Sequence, residues 1–151
     1  MVDGLGNRLL LDSLALARLH TRYNKPLLEM VLLHYDVYVH MLSVYEYAAS
    51  IFYYRQESLE GILERMKRLY TILGLDEKTV VKAAQLDATL TRKGVRIGQI
   101  DVLVAASAMV HNLSLVAEKP SLYKALESYG LRVIPLDRLF TWAEEKAREY
   151  M

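Results

Sequence analysis

RLLLDSLALARLHTRY, residues 8–23, sets the fold class. Arg8 to Asp12 is a short apolar run closed by a carboxylate, and Leu14 to Tyr23 then places apolar residues at helical spacing. The change of period reads as strand, turn, helix. Asn24, Lys25 and Pro26 open a second helix reaching about Tyr35, because proline suits a first helical turn and asparagine suits a cap. Asp36 to Leu42 (DVYVHML) is rich in β-branched and aromatic residues and reads as a second strand.

Further along, Ser43 starts a helix that runs through Tyr45 to Tyr54, with Glu46 three residues on in the S-x-x-E arrangement of a capping box. Glu57–Leu73 and Glu77–Lys93 read as two long helices forming a hairpin, with Gly74 as the stop of one and Asp76 as the N-cap of the other. Gly94 to Gly98 is a loop, and Gln99 to Asn112 a helix whose alanines and serine let it lie close against a sheet. Leu113 to Ala117 is a third strand, Pro120 to Tyr129 a short helix stopped by Gly130, Leu131 to Pro135 a fourth strand, and Asp137 to Tyr150 a closing amphipathic helix. Strands alternating with helices imply an α/β fold with a mostly parallel central sheet, spanning residues 1–151 as a single domain. In such sheets sites form outside the carboxyl ends of the strands.

With 151 residues, 53% hydrophobic and 25% charged, the chain has enough apolar surface to offset its conformational entropy, which excludes a disordered protein. The longest apolar stretches, LLEMVLLHY and VLVAASAMV, fall well short of the roughly 20 residues a membrane span needs. The first residues, MVDGLGNRLLLDS, lack the pattern of a secretory signal, so a cytoplasmic location is expected. Cysteine is absent, which removes disulfides, thiol nucleophiles and cysteine-ligated metal. The formal charge of +1 gives no global attraction to nucleic acid. RNA contacts would have to come from local clusters, Arg92, Lys93 and Arg96 or Arg65, Lys67 and Arg68, each of which better suits a solvated helix face or loop.

Three acids are candidates for chemistry, and each has a structural alternative. Asp12 stands at a strand's carboxyl end, yet it or Ser13 would also cap the next helix. Glu46 fits a capping box, and Asp101 lies in a first helical turn, where the helix dipole favours a negative charge in any protein. Jointly, all three lie near a strand end or helix start, places that an α/β fold can gather at one edge. Clustered carboxylates need a cation to stay ionised, and oxygen ligands without cysteine point to magnesium or manganese. Asp87, mid-helix, reads as a solvated residue. His34, His40 and His111 read as packed side chains, and His20 lies near a helix end; none has a partner at metal-ligand spacing. The aromatic residues of VYEYAASIFYY suit core or dimer packing better than base stacking.

LLLDSLALARL resembles the opening strand and helix of a PIN domain, with Asp12 and Ser13 matching an Asp followed by Ser or Thr. SVYEYAAS resembles the segment that carries the second acid, here Glu46. The segment from AAQLDATLTRKG through LRVIPL is similar to the C-terminal half of VapC-type toxins, whose third acid falls on Asp101. The resemblance covers nearly the whole chain. It implies a three-layer α/β/α domain that binds Mg2+ or Mn2+ and cleaves RNA, as a homodimer inhibited by a small antitoxin protein. In one respect the chain departs from the pattern: where many members carry a further Asp or Asn after a Thr, this chain reads Ala117, Glu118, Lys119. Glu118 is then a candidate fourth ligand displaced by one position, or Lys119 fills that place. That departure motivates an alternative, a PIN-like protein-interaction module with a degenerate metal site. A receiver-like phosphotransfer domain built on Asp12 is a poorer fit, because Asp3 is too far from Asp12 to share its strand end.

Overall fold

The computed structural model describes residues 6–150, so Asp3 lies outside the described residues. Five strands form one sheet: β1 Arg8–Leu11, β2 Asp36–His40, β3 Thr71–Leu73, β4 Ser114–Ala117 and β5 Val133–Pro135. They lie in the order β3-β2-β1-β4-β5, and every pair is parallel. The helices are α1 Ser13–Leu19, α2 Lys25–His34, α3 Met41–Arg55, α4 Leu59–Leu69, α5 Glu77–Arg92, α6 Gln99–Val110, α7 Lys124–Glu127 and α8 Leu136–Glu149.

Alternation along the central strand divides the interior. Leu9 and Leu11 face one side with Val39, Val116 and Ile134, where side chains of α1, α2, α3, α4 and α8 cover the sheet. Leu10 faces the other with Leu115 and Ala117, covered by α5, α6 and the segment around Tyr123 and Leu126. The result is the three-layer α/β/α arrangement, and it explains why β1 reads as an apolar run: both of its faces are buried. Ala105, Ala106, Ser107 and Ala108 are fully buried, as expected of a helix lying close to its sheet.

Two elements differ from the sequence reading. The helix expected over Glu57–Leu73 ends at Leu69, and Thr71–Leu73 is a fifth, edge strand beside β2. Tyr70, with extended backbone, makes the break, so Gly74 is not the stop. The second correction concerns Ser43. Helix α3 already begins at Met41, and its N-cap is His40, whose Nδ1 accepts from the Leu42 amide at 3.1 Å. The capping box expected of Ser43 and Glu46 is therefore absent. Gly94 and Gly130 do close their helices, with φ of +72° and +106°, a region that side chains rarely adopt.

The chain leaves β1 for β2 and β3 on one side and later returns to β4 and β5 on the other. The switch point is thus between β1 and β4, where open α/β sheets form their crevices. Among the described residues no helix is long and apolar enough to cross a membrane.

Candidate active site

Asp12 follows β1 directly, at that switch point, and its backbone N–H continues the ladder by donating to the Val116 carbonyl at 3.0 Å. The capping reading of Asp12 holds, and it occupies only one of the two carboxylate oxygens. Oδ1 caps α1 by accepting from the Ala15 amide at 2.8 Å, which fixes the side chain's rotation. Oδ2 accepts from the Tyr123 hydroxyl at 3.1 Å. Asp101, in the first turn of α6, accepts from the same hydroxyl through Oδ1 at 3.4 Å. Acids from opposite halves of the sequence thus meet across one phenol.

Burial sets the electrostatics of the pair. Asp12 is 3% exposed, and loss of hydration pushes its carboxyl up from 3.8 to about 6. The amides of Ala15 and Glu118 and the Tyr123 hydroxyl oppose the rise, while the Asp101 charge adds to it. Burial also raises the Asp101 carboxyl against the Tyr123 hydrogen bond. Tyr123 itself is pushed upward, first by burial and then by the two neighbouring carboxylates, so it remains a phenol and a donor.

Glu46 lies on α3, which packs against both α1 and α6. Its Oε1 is enclosed and has no hydrogen-bond partner. An enclosed carboxylate oxygen with nothing to accept is costly, and it marks a place where a further group would be stabilising.

Glu118 shares with Glu46 an enclosed oxygen without a partner, its Oε2, but differs in its other oxygen. Its Oε1 pairs with Arg18 Nη1 of α1 at 2.5 Å, and the Arg18 guanidinium also lies over the Phe140 ring, 5.5 Å from its centroid. The carboxylate is therefore already neutralised by a cation of the chain, whereas its backbone amide serves Asp12. We expect Glu118→Gln to change Mn2+ affinity by less than about fivefold in titration calorimetry, since the charge it removes is already paired with Arg18 in a half-exposed ion pair of the kind worth at most about 1 kcal/mol.

The histidines are engaged elsewhere. His20 and the Tyr70 hydroxyl lie 2.6 Å apart, and burial aided by Arg65 lowers that imidazole to about 4. His34 contacts the Met30 carbonyl, and His111 pairs with Asp76, the N-cap of α5, at 2.9 Å. Asp87 is exposed, as read from the sequence.

Two contributors escaped the sequence reading. Tyr123 was read only as part of a short helix. Gly98, read as a flexible loop point, is where an added methyl would lie 3.2 Å from Asp101 Oδ2, so the glycine leaves room for that carboxylate. Neither residue has a sequence signal beyond its position after β4 or before α6.

The donor set is oxygen only, and a hard divalent cation would suit it. Asp12 and Asp101 share a neutral hydrogen instead of a counter-charge, and Glu46 keeps an unpaired enclosed oxygen. Among the described residues no three His, Asp or Glu side chains converge tightly enough to grip an ion by themselves. A divalent cation that keeps several of its waters would need only one or two of these carboxylates.

Comparison with known proteins agrees with the fold. No protein-family model matches the chain. The structure is similar to VapBC2 of Rickettsia felis, solved bound to a DNA fragment from its promoter, with a TM-score of 0.71 at 18% identity, covering 84% of this chain and 97% of that one. It is also similar to FitAcB of Neisseria gonorrhoeae, with a TM-score of 0.66 at 23% identity over 85% and 97% of the two chains. In sequence the chain is 22% identical to a VapC ribonuclease of Methanocaldococcus jannaschii over 63% of its own length and 68% of that protein's. A VapC ribonuclease of Pyrococcus furiosus is 35% identical over 127 residues, 84% of this chain and 85% of the relative. On that similarity, which spans most of both chains, the chain belongs to the VapC family of PIN-domain ribonucleases.

Proposed function

We propose that this chain, as a single PIN-like domain acting in the cytoplasm, is a toxin that hydrolyses RNA phosphodiester bonds at Asp12, Glu46 and Asp101 with Mg2+ or Mn2+. The observation that carries the reading is the meeting of Asp12 and Asp101 on one hydroxyl at the switch point of the sheet. Bound there, a divalent cation would neutralise charge on the phosphate and acidify water for in-line attack. Asp12, held by the α1 cap, would offer a fixed oxygen, Asp101 a second, and Glu46 would contribute through water. The Arg18 pairing makes Glu118 the least suited of the four acids to hold metal. The exposed cations Arg92, Lys93 and Arg96 would bind the RNA backbone without reading its sequence.

Protein partners are part of the same proposal. Helices α3 and α4 border a groove of about 780 Å³ lined by Met41, Val44, Tyr45, Ala48, Phe52 and Leu63, with Tyr45 and Tyr53 exposed beside it. Such a surface suits an amphipathic segment of a small antitoxin or a second copy of the chain. Tyr47 is buried in the core, so the aromatic run read from the sequence splits between interior and surface.

The test is RNA cleavage in Mg2+ or Mn2+, with Asp101→Asn as the comparison. A loss on the order of 100-fold supports the assignment. Equal residual cleavage in native and variant chains sinks it. The second reading, a non-catalytic interaction module, draws on the neutralised Glu118 and becomes the better account if the native chain neither cuts RNA nor binds metal.

A further inference from the structure

Tyr123 lies just beyond β4, its side chain fully buried among residues of the second core, Leu126 and Ala117 among them. A tyrosine that served only as filling would need one acceptor for its hydroxyl. Here the hydroxyl has two, Asp12 Oδ2 and Asp101 Oδ1, and a single hydrogen to give. Hydroxyl donation to one carboxylate normally settles near 2.5–2.7 Å. The distances of 3.1 and 3.4 Å are those of a hydrogen shared between two anions, with neither bond made at full strength. The ring is immobilised by the core, and Asp12 is immobilised by its cap on α1. Asp101 is thereby tied to a fixed partner across the gap between β1 and α6.

We propose that Tyr123 is a positioning residue for the acid pair: by donating to Asp12 and Asp101 together, it holds both carboxylates in register for a divalent cation. This rests on the metal-dependent reading given above. A neutral donor suits the role, since it restrains both anions without competing as a charge for the cation's place. The ring has no exposed surface with which to touch RNA, so its effect must pass through the acids.

Tyr123→Phe keeps the ring and deletes only the hydroxyl. Mn2+ binding is to be measured by titration calorimetry, together with the Mn2+-induced rise in Tm of each variant above its own EDTA baseline, which separates affinity from stability. A loss of tenfold or more in Mn2+ affinity is expected, the scale usual for partners of metal ligands. RNA turnover should fall in kcat, with KM little changed. The effect should also shrink in an Asp101→Ala background, where the acceptor is gone and the tie is already broken. Native Mn2+ affinity in Tyr123→Phe, or an equal loss with and without Asp101, overturns the proposal. If the native chain binds no Mn2+, the metal-site reading fails on its own. The tie is then judged in the metal-free protein by the carboxyl 13C signals: Tyr123→Phe should shift those of both Asp12 and Asp101, and no shift in either refutes it.

Discussion

Asp12→Asn is expected to yield a folded chain that is more stable than the native one without metal and unable to cut RNA. The stability gain follows from linkage. The Asp12 carboxyl in the folded chain is raised from 3.8 to about 6, so its protonated form is favoured by folding. That contribution is complete below about pH 4 and is lost as the pH rises through 6, leaving the native chain with a buried charge at pH 7. The difference is on the order of 3 kcal/mol, because each tenfold change in proton affinity is worth about 1.4 kcal/mol. Asparagine keeps the oxygen that caps α1 through the Ala15 amide and removes the charge. In EDTA at pH 7 the variant should melt roughly 5–10 °C above native. The gap should close towards pH 4, and a gap independent of pH would show that burial of Asp12 is not its source. The same substitution removes the best-fixed of the proposed ligands, so stability and activity should move in opposite directions, as they do where a site is built at the fold's expense.

Glu46→Gln is the other large effect, and it separates a ligand from a bystander. Glu46 is not needed to cap α3, since His40 does that, and its enclosed Oε1 has no partner to lose. The amide is nearly the same size, so the Tm in EDTA should stay within about 2 °C of native. Loss of the negative charge should weaken Mn2+ binding at least tenfold and slow RNA cleavage on the order of 100-fold. Native affinity and turnover in this variant would leave Glu46 with no part in the site, despite its place in the family pattern.

The sheet and the acids were legible in sequence to different degrees, for physical reasons. β1 announces itself because a strand buried on both faces is a continuous apolar run, and β2 does so by its β-branched and aromatic residues. β3 does not: three residues at the sheet's edge follow a helix without a glycine or proline between them, and the helical pattern runs through them. Thr71 and Ile72 were the only local signal, as β-branched residues. Asp12 was readable as a strand-end acid, and the structure adds that the helix cap and the Tyr123 hydrogen bond fall on separate oxygens of one side chain. Glu46 was misread locally as half of a capping box because Ser43 has the right spacing, whereas the cap comes from a histidine side chain, an uncommon donor of that service. Tyr123 could not be found this way. Its role depends on a meeting between β1 and α6 that only the three-dimensional path of the chain creates, and a tyrosine in a short helix gives no hint of it.

The central claim, that these acids form a metal-dependent ribonuclease site, is tested most directly by RNA cleavage in Mg2+ by the native chain, by the native chain in EDTA, and by Asp12→Asn. Cleavage in the first alone is the predicted result. Equal cleavage by native and Asp12→Asn chains, or native cleavage undiminished by EDTA, would contradict it.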